Sequence, residues 1–134
     1  MKRVLIDSNI LLDIFTEDPL WFSWSSEQLA ELSEHNTLCI NPIIYGEISV
    51  RFKTSEELDK SLPSEILRVS LPWEAAFLAG KSFIQYKKKG GTKASTLPDF
   101  FIGAHALTEN LILLTRDASR YKTYYPKVRM VSPE

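Results

Sequence analysis

A chain of 134 residues, 44% hydrophobic and 25% charged, has the length for one core and a globular composition, which excludes a disordered chain. Sixteen basic residues against seventeen acidic ones leave a net charge of −1, so any attraction to nucleic acid must come from a local strip. The lone Cys39 excludes a disulfide framework and a thiolate zinc site, and no apolar run approaches the roughly 18–20 residues that span a bilayer. The expectation is one domain over residues 1–134, cytoplasmic, with no membrane partner.

Residues 4–6 read as the first strand, and Ser8 as the cap of a helix over 9–15. A mostly polar helix is expected over 23–33 and a second strand over 37–40. Asn41 and Pro42 are a cap and a first-turn proline for a helix over 42–52. A third strand at 67–71 precedes a long helix from about Trp73, with Trp73, Ala76, Phe77, Gly80, Phe83 and Ile84 on its apolar face. Gly90 and Gly91 stop that helix. A helix from about Pro98 is apolar nearly all round, as a buried central helix would be; strands at 111–114 and 128–131 follow. Short apolar runs alternating with helical segments predict an α/β domain with a mainly parallel central sheet.

Four acids stand out in this framework. Asp7 follows the first strand and Asp117 the fourth, at the sheet edge where parallel sheets bind ligands. Taken singly, the first also reads as a helix cap and the second as a turn former. Glu47 lies mid-helix, four residues after Ile43, on an apolar stripe. A carboxylate there needs a cation, a donor or a metal beside it. Asp99 stands three residues after Thr96, the spacing of a capping box, at the start of the buried helix. Four converging carboxylates would repel one another unless hard divalent cations lay between them, and oxygen-only ligands suit Mg²⁺ or Mn²⁺. One ion lowers the pKa of an attacking water, while a second steadies the leaving oxygen of a phosphodiester.

In VLIDSNILLD (4–13), NPIIYGEI (41–48), LPDFFIGAHAL (97–107) and LLTRD (113–117) the chain resembles the PIN-domain ribonucleases, and among them the VapC toxins of toxin–antitoxin pairs. The resemblance implies a three-layer α/β/α fold and one or two Mg²⁺ or Mn²⁺ ions held by Asp7, Glu47, Asp99 and Asp117. It gives Asn9 a place in the polar turn after Asp7, and Thr115 the role of ordering the site. It also implies endonucleolytic cleavage of RNA, often tRNA or rRNA, a cognate antitoxin and a homodimer. His105 stands where the family commonly has small or apolar residues, and residues 53–72 carry no matching motif.

Lys88, Lys89 and Lys93 form a basic strip ahead of Asp99 that can hold an RNA backbone, or simply a solvated helix end. Trp21, Phe22 and Trp24 read either as core or as an interface with a second subunit or an antitoxin. Tyr121, Tyr124 and Tyr125 read as packing near the last strand, with base stacking the other option. His35 and His105 have no partner at metal-ligand spacing. Rival readings are weaker. A phosphoacceptor regulatory domain needs neither Glu47 nor the Asp99 site, and a haloacid-dehalogenase-like phosphatase wants an aspartate where Asn9 stands. A catalytically silent PIN-like binding module would not need all four acids.

Overall fold

The computed structural model describes residues 2–91 and 95–134, so Lys93 lies outside the described residues. Five strands form one sheet: β1 (Lys2–Ile6), β2 (Asn36–Ile40), β3 (Leu67–Arg68), β4 (Ile112–Leu114) and β5 (Met130–Val131). Their order is β3-β2-β1-β4-β5 and every pairing is parallel, so the mainly parallel sheet expected from the sequence is parallel throughout. Seven helices among the described residues complete a three-layer α/β/α arrangement: α1 (Ser8–Phe15), α2 (Phe22–Ser33), α3 (Pro42–Ser49), α4 (Ser55–Ser61), α5 (Trp73–Lys88), α6 (Leu97–Thr108) and α7 (Ser119–Lys122).

The central strand β1 explains the core. Val4, Leu5 and Ile6 are fully buried, as are Leu113 and Leu114 beside them on β4. Near-continuous apolar runs of this kind belong to strands covered on both faces. Because β2 and β4 flank β1 on opposite sides, the chain leaves the sheet's carboxyl edge in opposite directions there. That divergence opens a crevice, and Asp7 sits in it, its backbone N–H donating to the Leu114 carbonyl at 2.9 Å.

Three local expectations change. Asp7, not Ser8, is the cap of α1: its backbone is extended, and its carboxylate accepts from the Ser8 N–H at 2.8 Å. Ser8 is already helical, so the acid one residue earlier stands at the boundary. The helix after Asn41 ends at Ser49 rather than at residue 52, although Asn41 caps it as expected by accepting from the Ile44 N–H at 2.9 Å. On α5 the apolar face read from the sequence is largely the outward one. Trp73 is 91% exposed and Phe77 70%, while Ala75, Ala79 and Ser82 are buried. Small residues on that side let α5 pack closely against α6, its main neighbour, and closeness rather than hydrophobicity selects the inner face.

The remaining stops follow backbone chemistry. Gly90, at φ +73°, ends α5 as expected, and the Gly91 N–H returns to the Tyr86 carbonyl at 2.9 Å. Asn110, at φ +54°, ends α6 in the same way and turns the chain into β4. Helix α6 is the buried helix its composition predicted, with Phe100, Ile102, Ala104 and Ala106 in the core.

Candidate active site

Asp7 is the centre of the site. Burial pushes its carboxyl pKa up, and the neighbouring Asp99 charge adds to this; hydrogen bonds from Tyr121, Thr115 and the Ser8 N–H pull the other way. The Tyr121 hydroxyl donates to Asp7 Oδ2 at 2.7 Å and the Thr115 hydroxyl to the same oxygen at 2.8 Å. Thr115 also accepts from the Asp117 N–H at 3.0 Å, so one hydroxyl fixes the first acid and the turn that carries the fourth. Asn9 stands within 3.5 Å of both Asp7 Oδ2 and Thr115 Oγ1, and its amide oxygen accepts from the Arg116 N–H at 3.2 Å. The polar turn after β1 is thereby stitched to the turn after β4.

Glu47 reaches toward the same crevice from α3. Desolvation raises its pKa, with Asp7 and Asp99 adding charge repulsion, while the Ser8 hydroxyl and the Arg120 charge oppose the rise. One of its carboxylate oxygens, Oε1, is buried with no hydrogen-bond partner. Asp99 arrives at the start of α6 through the capping box expected with Thr96, whose N–H donates to Asp99 Oδ2 at 2.8 Å. Its other oxygen faces Arg120 at 3.7 Å. Asp117 is 37% exposed and lies 3.5 Å from the second terminal nitrogen of the same arginine.

Asp7 and Asp99 therefore lie close enough to Glu47 to raise its proton affinity, Asp99 does the same to Asp7, and Arg120 ties Asp99 to Asp117. The donor set is all oxygen, the kind that suits a hard divalent cation, and Glu47 Oε1 is an acceptor without a donor. Among the described residues, no three acidic, histidine or cysteine side chains stand close enough to share an ion as they are arranged. The partners they have instead are protein donors: Tyr121 and Thr115 on Asp7, Thr96 on Asp99, Arg120 on Asp99 and Asp117.

Two members of this site went unread in the sequence. The sequence suggests packing or base stacking for Tyr121, whereas its hydroxyl sits on Asp7, where burial and the surrounding acids raise its own pKa well above the ordinary value. Arg120 gave no signal, because a lone arginine in a polar stretch is usually solvated. Beneath them lies a second network: the Arg116 guanidinium makes two hydrogen bonds to the buried Asp13, at 2.9 and 3.0 Å, and Ser25 completes that carboxylate at 2.7 Å. Trp21 lies 5.2 Å from the Arg116 guanidinium, its ring edge-on to Trp24, so this part of the aromatic knot packs over a structural ion pair. His105 accepts at Nδ1 from the Asn41 amide at 3.0 Å, a direction fixed by the Asn41 oxygen's role as helix cap. Burial lowers its pKa, which favours the neutral ring in the core.

The basic strip sits apart from the acids. Lys88 ends α5 and Lys89 is its cap; both are exposed. Lys89 lines a cleft whose far wall includes Arg120, so at least this lysine shares a cavity with a residue of the acid site.

No curated protein sequence matches the chain. Among solved structures, the described fold is similar to a chain of VapBC2 from Rickettsia felis bound to a promoter DNA fragment: 20% identity, TM-score 0.75, covering 98% of this chain and 99% of that one. It is likewise similar to a chain of DNA-bound VapBC from Salmonella typhimurium, at 17% identity and TM-score 0.73 over 98% of each chain. A toxin–antitoxin complex from Klebsiella pneumoniae gives 22% identity and TM-score 0.70, again over 98% of each. At these identities the likeness concerns the fold. The PIN-domain profile matches residues 4–124, which takes in all four acids, the Thr115 hydroxyl and the Tyr121 that holds Asp7. A parallel sheet in this order, with its acids at the β1/β4 divergence and a family match over nearly the whole length, makes the chain a member of the PIN-domain family.

Proposed function

We propose that the chain is a metal-dependent endoribonuclease and the toxin of a VapBC-type toxin–antitoxin pair. The observation that carries the nuclease reading is the buried, unpartnered Oε1 of Glu47 beside Asp7 and Asp99. A buried acceptor left without a donor is destabilising, and a cation is the partner that also relieves the repulsion among its neighbours. Asp7, Glu47, Asp99 and Asp117 would hold one or two Mg²⁺ or Mn²⁺ ions, which when bound supply the charge that activates a water and steadies the leaving oxygen of a phosphodiester. The chain's own part is positional. Tyr121 and Thr115 fix Asp7, Thr115 sets the Asp117 turn, and Asn9 locks the two turns together.

The toxin assignment rests on likeness to chains from VapBC complexes, and it brings an antitoxin protein as partner and the cytoplasm as location. No described helix is long and apolar enough to cross a membrane. A homodimer is part of the same proposal, supported by the exposed Trp73 and Phe77 on α5 and by Leu20 and Phe22 at the entry to α2, large apolar side chains that gain by being covered.

Incubation of total tRNA with the intact protein and with Asp7→Asn, under Mg²⁺, Mn²⁺ and EDTA, tests the activity. Cleavage that needs metal and vanishes in the folded variant is expected; metal-independent cleavage, or equal cleavage by both proteins, overturns the assignment. Replacing Lys88 and Lys89 by alanine is expected to weaken RNA binding and flatten its salt dependence. An unchanged salt slope removes these lysines from the interface.

A further inference from the structure

Of the cavities that open on the described surface, the one between the end of α5 and α7 touches the acid site through Arg120. Its volume is about 350 Å³, and its lining mixes two tyrosines, Tyr86 and Tyr124, with two cations, Lys89 and Arg120, and three serine or threonine hydroxyls. Arg120 belongs to both places: it lines the cleft and reaches Asp99 at 3.7 Å and Asp117 at 3.5 Å. Among the described residues it is the cation paired with members of the acid set. A group lying in the cleft is thus one guanidinium away from the acids.

The lining chemistry is selective. Tyrosines offer an apolar surface for a flat ring, the cations attract an anionic backbone, and the hydroxyls can donate or accept at a heterocycle's edge. Among the described residues, no carboxylate lines the cleft. The acid site itself repels a phosphate, so an approaching polyanion needs a favourable surface beside it. Among the described residues, a second cavity, between Tyr45, Pro42 and Val69, has a mostly apolar wall and a single cation, Arg68, where the first has two. The first cavity is therefore the better place for a charged, ring-bearing ligand. Its form is held from below: the Tyr86 hydroxyl accepts from the Ser95 N–H at 3.3 Å, and Tyr86 and Tyr124 meet edge to face, 6.0 Å between centroids.

We infer that this cleft binds one nucleotide of a single-stranded RNA, its base against the tyrosine wall and its phosphate on Lys89 and Arg120, so that the adjoining phosphodiester is delivered to the acids. The inference rests on the nuclease reading for its purpose, but RNA binding at the cleft is measurable without cleavage.

The test is fluorescence anisotropy of a labelled single-stranded RNA hexamer in EDTA. Thr123→Glu places a carboxylate at an exposed position of the cleft wall, and Ser64→Glu makes the same charge change at an exposed turn ahead of β3. Thr123→Glu is expected to raise Kd about tenfold or more, as a like charge facing a phosphate should. Ser64→Glu is expected to bind as the unaltered protein does. Equal effects from the two variants, no effect from Thr123→Glu, or no RNA binding by the unaltered protein would overturn the assignment. Tyr124→Leu, checked for folding by its thermal transition, adds a readout for stacking: loss of affinity supports the tyrosine wall, and unchanged affinity removes it. Hydrolysis of bis(p-nitrophenyl) phosphate by the unaltered protein with Mn²⁺ reports separately on the acids. A nuclease reading that fails there leaves the hexamer result standing on its own, and a failed cleft leaves that hydrolysis untouched.

Discussion

At Glu47 the chain keeps a carboxylate where burial and two other acids work against its charge, and the consequence appears in stability against pH. Asp7 and Glu47 both have pKa values above the ordinary carboxylate range. The folded state therefore takes up protons more readily than the unfolded one. The stabilisation this gives is complete below the unfolded values and is lost as pH rises through the raised folded ones. Glu47→Gln, which removes the charge and keeps the shape, is expected to melt roughly 3 °C higher near neutral pH. That gain should vanish at about pH 4, where the native carboxyl is protonated as well. A melting difference independent of pH would contradict the electrostatic account. Tyr121→Phe removes the shortest of three side-chain hydrogen bonds to Asp7 Oδ2. It should lower stability by about 1 kcal/mol in urea unfolding, and an unchanged midpoint would show that the bond contributes nothing net. The four acids were legible because each follows a recognisable start: a strand end, a cap, an apolar helical stripe. Tyr121 and Arg120 were not, since a tyrosine's hydroxyl partner and an arginine's direction depend on tertiary placement that no local pattern encodes.

Among the elements, α1 and the turn after β4 are joined by the Arg116–Asp13 pair, with Ser25 of α2 on the same carboxylate. Arg116→Met leaves the buried Asp13 uncompensated and should cost about 3 kcal/mol in denaturant unfolding. A loss under 1 kcal/mol would show that the acid finds another partner. Helix α6 meets the C-terminal segment with no room to spare. A Cβ on Gly103 would lie 2.4 Å from Tyr125 Cδ2, and the Tyr125 hydroxyl is tied to the Phe100 carbonyl at 3.1 Å. Gly103→Ala is expected to lose about 1–3 kcal/mol by overpacking, read from the same unfolding curves. It should also reduce RNA cleavage, because the same Cβ would sit 3.2 Å from the Tyr121 ring that positions Asp7. The places of the strands, the Asn41 cap and the Gly90 stop were readable from local chemistry, although β3 ends at Arg68 rather than at residue 71 and β5 begins at Met130 rather than at residue 128. The burial of α5 was not. Its larger apolar side chains suggested one inner face, while close packing against α6 chose the face carrying Ala75, Ala79 and Ser82.

The whole molecule gathers its acids from four separated stretches, so a metal bound between them would cross-link the fold. Mn²⁺ at 100 times its dissociation constant should then add about 2.7 kcal/mol to stability, visible as a rise in melting temperature. The rise should be lost in Asp7→Asn, and an equal rise in that variant would place the metal elsewhere. At this scale the sequence disclosed the α/β class and the parallel sheet through its alternation of apolar runs. The strand order followed only from the structure, since nothing in β1 itself states that β4 rather than β3 will lie beside it.

That order also governs timing. Asp7 leaves the ribosome well before its partners Thr115 and Tyr121, which lie 108 and 114 residues further on. At roughly 5–20 residues per second, about 5–23 s of synthesis separates them, and β1 meanwhile has only β2 to pair with. A growing chain carries the first acids without the strand and hydroxyls that align them. The site is thus incomplete until Tyr121 has been made, and whatever activity it has begins only after that.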